Sequence, residues 1–323
     1  MMNEYINDWL EIIEYMNNDN TYKLAWGRAI IEIAYECINV HEVNVIHFEM
    51  IAKKMIKYYW NQSFFFNLRQ SANYKKPPVI VSLVNKLIDR YKELSGSHIP
   101  VWFDKAEDVL KCDISFYNQV IKDCSKTLKN DVCYRFMNVN KKVVQVYELN
   151  KNGMYICLSD KQMYLLKDES YVYILSSLLN YKWAQLLERY NSAPRISNKV
   201  KGISDNKIKR QNLTQYKNIL IEYAKNNPVD FYTDEPLSLD NISVDHVIPW
   251  SYMYSDDIWN LVLTTKENNS SKSNHIPSIE TIDKLKRRNI DLVNCLIEGK
   301  YKDDMMMAIE NDYVDKFYIS MKL

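Results

Sequence analysis

The chain is poor in the residues that punctuate or staple a fold. Five glycines and eight prolines in 323 residues exclude long flexible or polyproline linkers. The six cysteines (Cys37, Cys112, Cys124, Cys133, Cys157 and Cys295) are scattered, with no C-x-x-C pair. That spacing argues against a zinc knuckle and against a disulfide framework, and it suits a reducing cytosol. No apolar run approaches the ~20 residues that span a bilayer. The polar, acidic start from Met1 to Trp9 lacks the basic and apolar regions of a secretory signal. A cytoplasmic protein with no membrane partner is expected. Net charge is only +1, so no whole-protein basic field can be invoked to gather nucleic acid.

What is present is more specific. The length allows two or three domains with buried cores, and 47% hydrophobic with 26% charged residues is ordinary for a soluble globular protein. Charge is unevenly distributed. Arg195 to Lys217 holds seven basic residues against one acid, Asp205, whereas Pro228 to Ile258 holds seven acids and no lysine or arginine. Cations for backbone phosphates beside carboxylates for an ion are what a metal site on nucleic acid needs. Two solvated surface segments of chance composition would look the same.

Periodicity divides the chain further. Residues 1–125 read as a helical domain. Trp26, Ile30, Ile33, Ala34 and Cys37 repeat at helical spacing, as do Phe48, Ile51, Met55, Ile56 and Tyr59. A third series, Ile80, Leu83, Val84, Leu87, Ile88 and Tyr91, follows Pro77-Pro78 and stops near Gly96. Such a triplet permits a helix-turn-helix reader or a bare helical scaffold. Residues 126–194 form a second segment. Val144, Val146 and Leu149 alternate, Asn150-Lys151-Asn152-Gly153 supplies a turn, and Met154–Leu158 and Gln162–Leu166 are expected as strands of a small antiparallel meander. A long helix from Tyr171 to Tyr190 closes the segment before Pro194. Residues 195–212 read as a basic linker, and residues 213–323 as a third domain opened by a helix carrying Tyr216, Ile219, Leu220 and Tyr223. The fold class expected is α+β, mainly helical.

The third domain contains Val244-Asp245-His246-Val247-Ile248-Pro249-Trp250, then Asn260-Leu261-Val262-Leu263 and Asn269-Ser270-Ser271-Lys272. An acid and a histidine stand side by side, with one asparagine fourteen residues on and a second nine further. A packed core has no use for this polar set in this order. Phosphodiester hydrolysis does, because it needs a metal ligand, a base for water and groups that hold the two in register. Val244 reads as the end of a strand with Asp245 and His246 at its exit. Pro249 opens a loop, Asn260 to Thr264 is a second strand, and Lys266 to Lys272 starts a helix.

This pattern resembles the HNH nuclease motif, and Ser243 to Pro277 most resembles the HNH domain of RNA-guided CRISPR nucleases. The resemblance covers about the last third of the chain and implies a C-terminal ββα-metal unit. It implies Asp245 and Asn269 as oxygen ligands of Mg²⁺, with Mn²⁺ as substitute. It also implies His246 as general base and Asn260 as the residue that holds the loop and orients His246. Asn268 competes with Asn269 for the ligand position. Lys272 would face a phosphate, and Lys199, Lys201, Lys207, Lys209 and Arg210 would line the DNA path. Many relatives carry a C-x-x-C pair before the first strand as half of a zinc ribbon. Here Asp230-Phe231-Tyr232-Thr233-Asp234-Glu235-Pro236-Leu237 stands in its place, so no zinc is expected and Phe231, Tyr232 and Leu237 are expected to brace the site by packing. The resemblance extends to stand-alone bacterial HNH proteins of restriction and antiphage defence. It implies DNA as partner, with a homodimer or a partner protein encoded nearby left open. The alternative is a nucleic-acid-binding or partner-controlled module derived from such a nuclease. Residues 1–125 are expected to serve recognition, dimerisation or regulation.

Overall fold

The computed structural model describes residues 3–36, 44–73, 75–201, 212–225, 227–272 and 275–322. It comprises two compact units, the first made of residues 1–191 and 196–206, the second of 192–195 and 207–323. Helices dominate both and the sheets are small and antiparallel, so the chain is α+β and mainly helical. No described helix is long and apolar enough to cross a membrane.

The first unit is organised around α2 (Tyr22–Glu36), preceded by α1 (Glu4–Tyr15). Leu24 to Ile31 of α2 are buried without a break, as expected of a helix enclosed on all sides. Gly27 lets the Phe136 ring approach so closely that a Cβ would stand 2.9 Å from it. Strand β1 (Val45–His47) leads directly into α3 (Phe48–Trp60), followed by α4 (Val79–Ser95), α5 (Phe103–Leu110) and α6 (Ile114–Asp131). Helix α4 ends where the sequence predicts, at Gly96 in the left-handed region with φ 64°.

The boundary expected at residue 125 does not divide this unit. Strands β2 (Asn138–Val139) and β3 (Lys142–Val143) form a short ribbon, but β4 (Glu148–Asn150) and β5 (Tyr155–Cys157) share a sheet with β1, with Ile46 opposite Ile156. A strand from the helical segment thus completes the meander. The strand expected at Gln162–Leu166 is instead helix α7 (Asp160–Leu165). A capping box drives this change: Ser159 Oγ accepts from the Gln162 amide while the Gln162 side chain accepts from the Ser159 amide. Helix α8 (Glu169–Glu188) matches the long helix expected.

The first part of the supposed linker is helix α9 (Ile196–Lys201), which belongs to the first unit with Ile196 and Val200 buried. Arg28 Nη1 donates to the Val200 carbonyl at 2.9 Å.

The second unit opens with α10 (Thr214–Tyr223) and is built on the ribbon of β6 (Ile242–His246) and β7 (Leu261–Thr265). Val244 faces Leu263, Asp245 faces Val262 and His246 faces Leu261. The link between the strands carries the short α11 (Trp250–Met253), and α12 (Lys266–Lys272) follows β7 without a break. Three helices complete the unit: α13 (Ile279–Cys295), α14 (Lys300–Glu310) and α15 (Tyr313–Lys322). Ile282, Leu285, Asn289 and Leu292 form one buried face of α13. Ile282, Leu285 and Leu292 join a core with Val247, Ile248, Trp259, Leu261, Met305 and Tyr318, and that core backs the polar residues of the ribbon.

Candidate active site

The five-residue strands β6 and β7 bring the polar residues of the motif to one end of the ribbon. Asp245 and His246 occupy the last two positions of β6, where successive residues point to opposite faces, and both are only 6% exposed. Just beyond them Asn260 closes the turn. Its Oδ1 accepts from the Ile248 amide and its Nδ2 donates to the Ile248 carbonyl, both at 2.8 Å. Its own carbonyl accepts from the Val247 amide at 2.9 Å. The side-chain amide thus replaces a neighbouring strand and fixes the backbone that leaves His246. From behind, Asn289 of α13 donates to the Trp259 carbonyl at 2.9 Å. A buried backbone pair left without such partners costs about 1–3 kcal/mol per group, so this turn is held firmly.

His246 has a partner that sequence reasoning missed. Its Nε2 lies 2.8 Å from Asp256 Oδ1, with both side chains nearly buried. An ionised carboxylate can only accept, so Nε2 is the donor of this pair and Nδ1 points away from it. The acid is brought there by the path of the linking loop: Pro249 starts α11 and Tyr254 reverses the chain at φ 58°. Asp257 accepts from Ser255 Oγ and pairs with Arg195 at 3.3 Å. A pair of adjacent acids ten residues past a histidine gives no sequence signal of which one turns back to it.

Asp245 is also fully engaged on one oxygen. Oδ2 accepts from the Tyr232 hydroxyl at 2.5 Å and from Lys272 Nζ at 2.8 Å. Lys272 also donates to the His246 carbonyl at 2.6 Å. The lysine expected to face a phosphate therefore turns into the site. Burial and then the neighbouring Asp245 charge push the Tyr232 phenol well above its ordinary range, so it remains a donor.

The two candidate asparagines of α12 are separated by their partners. Asn268 Nδ2 donates to Asp230 Oδ2 at 3.0 Å. Asn269 Nδ2 donates to Ser243 Oγ at 2.6 Å and to the Val244 carbonyl at 3.2 Å, which ties α12 to β6 and leaves the Asn269 carbonyl oxygen as a lone-pair donor. Among the described residues no group of three or more His, Cys, Asp or Glu could hold a metal. A set of one carboxylate and one amide oxygen, with an ammonium already drawn to the carboxylate, nevertheless fits a hard cation that keeps part of its water shell.

Phe231 and Leu237 are buried in the core of the unit and Tyr232 packs against it, but the segment is braced by a second element that packing alone did not suggest. Asp230, 1% exposed, accepts from the amides of Tyr232, Thr233 and Thr265, from Thr264 Oγ1 and from Asn268 Nδ2, at 2.7–3.1 Å. It ties the turn before β6 to the end of β7 and the start of α12. An aspartate opening a turn is a visible signal; its reach across the ribbon is not.

The basic segment departs from expectation. Lys199 is 0% exposed in the first unit, with its ammonium 6.0 Å from the centre of the Phe66 ring, so no phosphate reaches it in this conformation. Lys201 is exposed at the end of α9. Lys207, Lys209 and Arg210 lie outside the described residues.

Residues 230–278 match the family model described as HNH endonuclease. The segment bearing Asp245, His246, Asn260 and Asn269 is thus similar to HNH endonuclease domains, those of CRISPR nucleases among them. Over 135 residues the chain is 30% identical to the CRISPR-associated endonuclease Cas9 of Listeria innocua, covering 39% of this chain and 10% of that protein. Over 94 residues it is 32% identical to the CRISPR-associated endonuclease Cas9 of Streptococcus mutans, covering 28% of this chain and 7% of that protein. The similarity therefore spans a tenth or less of these relatives. No solved structure matches the chain.

Proposed function

We propose that the second unit hydrolyses DNA phosphodiester bonds as a metal-dependent HNH endonuclease, with His246 as general base. The observation that carries this reading is the two-point grip of Asn260 on Ile248, which fixes the turn beside Asp245 and His246 at the strand end. A core needs no such device, whereas proton transfer needs the base held in place. His246 Nδ1 takes the proton of the attacking water, and the Asp256 carboxylate keeps the other ring nitrogen protonated and steadies the imidazolium that forms. Mg²⁺ or Mn²⁺ held by the oxygens of Asp245 and Asn269 would polarise the scissile phosphate and offset charge on the departing 3′-oxygen. The products are 5′-phosphate and 3′-hydroxyl ends. Commitment of Asn268 to Asp230 supports Asn269 as the second ligand.

Lys201, Lys207, Lys209 and Arg210 are proposed phosphate contacts. The first unit is assigned to recognition, dimerisation or regulation, alone or with a partner protein, and the whole to restriction or antiphage defence in the cytoplasm.

Purified protein incubated with plasmid tests the reading. Mg²⁺ and Mn²⁺ are expected to support cleavage, EDTA to abolish it, and a zinc-selective chelator to leave it unchanged. Loss of activity to the zinc chelator alone overturns the ligand assignment. Asp256→Asn supplies a finer test. An amide that turns its nitrogen towards Nε2 favours the tautomer with the proton on Nδ1, where it blocks the base. A fall of about 10²–10⁴-fold in single-turnover rate is expected, with melting temperature and Mn²⁺ binding little changed; a wild-type rate removes Asp256 from the mechanism.

A further inference from the structure

Lys272 sits where neither a surface lysine nor a bare phosphate contact would place it. It ends α12, three residues after Asn269, and its side chain is 14% exposed against 8% for Asp245. Two of its three N–H donors are aimed at oxygens of the site: Asp245 Oδ2, on the proposed metal ligand, at 2.8 Å and the His246 carbonyl at 2.6 Å. The Tyr232 ring lies 5.4 Å from the ammonium, within reach of a cation–π attraction. Because Oδ2 also accepts from the Tyr232 hydroxyl at 2.5 Å, a divalent cation cannot use that oxygen without displacing a donor. An ammonium and a metal ion on one carboxylate repel strongly where little water screens them.

We propose that Lys272 is an internal counter-cation that competes with the metal ion for Asp245 Oδ2 and is released when a DNA phosphate draws its ammonium away. This rests on the reading of Asp245 as a metal ligand. The device keeps the free protein a weak metal binder and couples metal loading to substrate. The phosphate supplies both the new partner for Lys272 and further oxygens for the ion. The four-carbon stem of lysine allows the head group to move between these partners while α12 stays in place.

Calorimetric titration of the full chain with Mn²⁺, in the absence of DNA, tests the competition directly. Lys272→Met keeps the apolar stem and removes the charge, so Mn²⁺ affinity is expected to rise by at least ~10-fold over wild type. Unchanged or weaker affinity overturns the proposal. Lys272→Gln keeps donors without charge and is expected to tighten binding in the same direction, and it decides the matter if the methionine variant fails to melt cooperatively. An Asp245→Asn arm separates the two levels of inference. If Asp245→Asn binds Mn²⁺ as wild type does, the ligand assignment itself fails. If Asp245→Asn loses binding while both Lys272 variants match wild type, only the competition fails.

Discussion

His246→Ala is expected to slow DNA cleavage by about 10²–10⁴-fold, the usual cost of removing a general base, while Mn²⁺ affinity and DNA binding stay close to wild type. The separation follows from the geometry. His246 meets Asp256 through its ring, whereas the contact linking it to the Asp245 carboxylate, the proposed metal ligand, is its backbone carbonyl, on Lys272. Alanine keeps that carbonyl, the β6 register and the Asn260 grip. Single-turnover cleavage beside a Mn²⁺ titration on the same preparation checks it, and cleavage near the wild-type rate would remove the central support of the nuclease reading.

Asp230→Ala is expected to produce the largest loss of stability. Five donors converge on a carboxylate that is almost fully buried, and alanine leaves them without a partner. The loss is on the order of 3 kcal/mol, given that hydrogen bonds to charged groups contribute more than neutral ones and orphaned buried donors carry a penalty. Burial alone would raise the Asp230 carboxyl. The donors from Thr264, Asn268, Tyr232 and Thr265 outweigh it, and the group titrates below the ordinary carboxylate range. The folded state therefore holds its proton less tightly than the unfolded chain. This contribution is fully present above the unfolded value of about 4 and disappears as pH falls through the lower folded value. Urea melts of the full chain, with amide exchange read at residues 261–265, should show the wild-type advantage shrinking across that acid window. An equal difference between wild type and Asp230→Ala at all pH values would contradict the linkage.

The sequence made some of these features legible and concealed others for physical reasons. The positions of Asp245, His246 and Asn260 could be read because they depend on local spacing: two residues at a strand end and one just before the returning strand. Helices α2, α3, α4 and α8 could be read from the 3.6-residue period. The capping box at Ser159 and Gln162 was visible in principle, yet the apolar residues around it looked equally suited to a strand. Asp256 and Asp230 act across loops, and their partners are fixed by chain path rather than by period. The same holds for β1, whose pairing with β5 spans more than a hundred residues. Lys199 misled because a run of basic residues suggests solvent, whereas Ile196 and Val200 on the same short helix carry it into the interior.

The Asp230 brace has a consequence for the conditions under which this domain persists. Where a thiolate frame ties folding to zinc supply and to reductant, a frame of carboxylate, hydroxyls and backbone amides answers only to protons, and its titration lies far below the pH of a living cell. Oxidants that convert thiols to disulfides, and metal starvation that empties zinc ribbons, have no purchase on residues 230–237. The bracing of this turn is thereby separated from thiol chemistry, and under the proposed reading cutting would be controlled through the divalent ion and the lysine that opposes it.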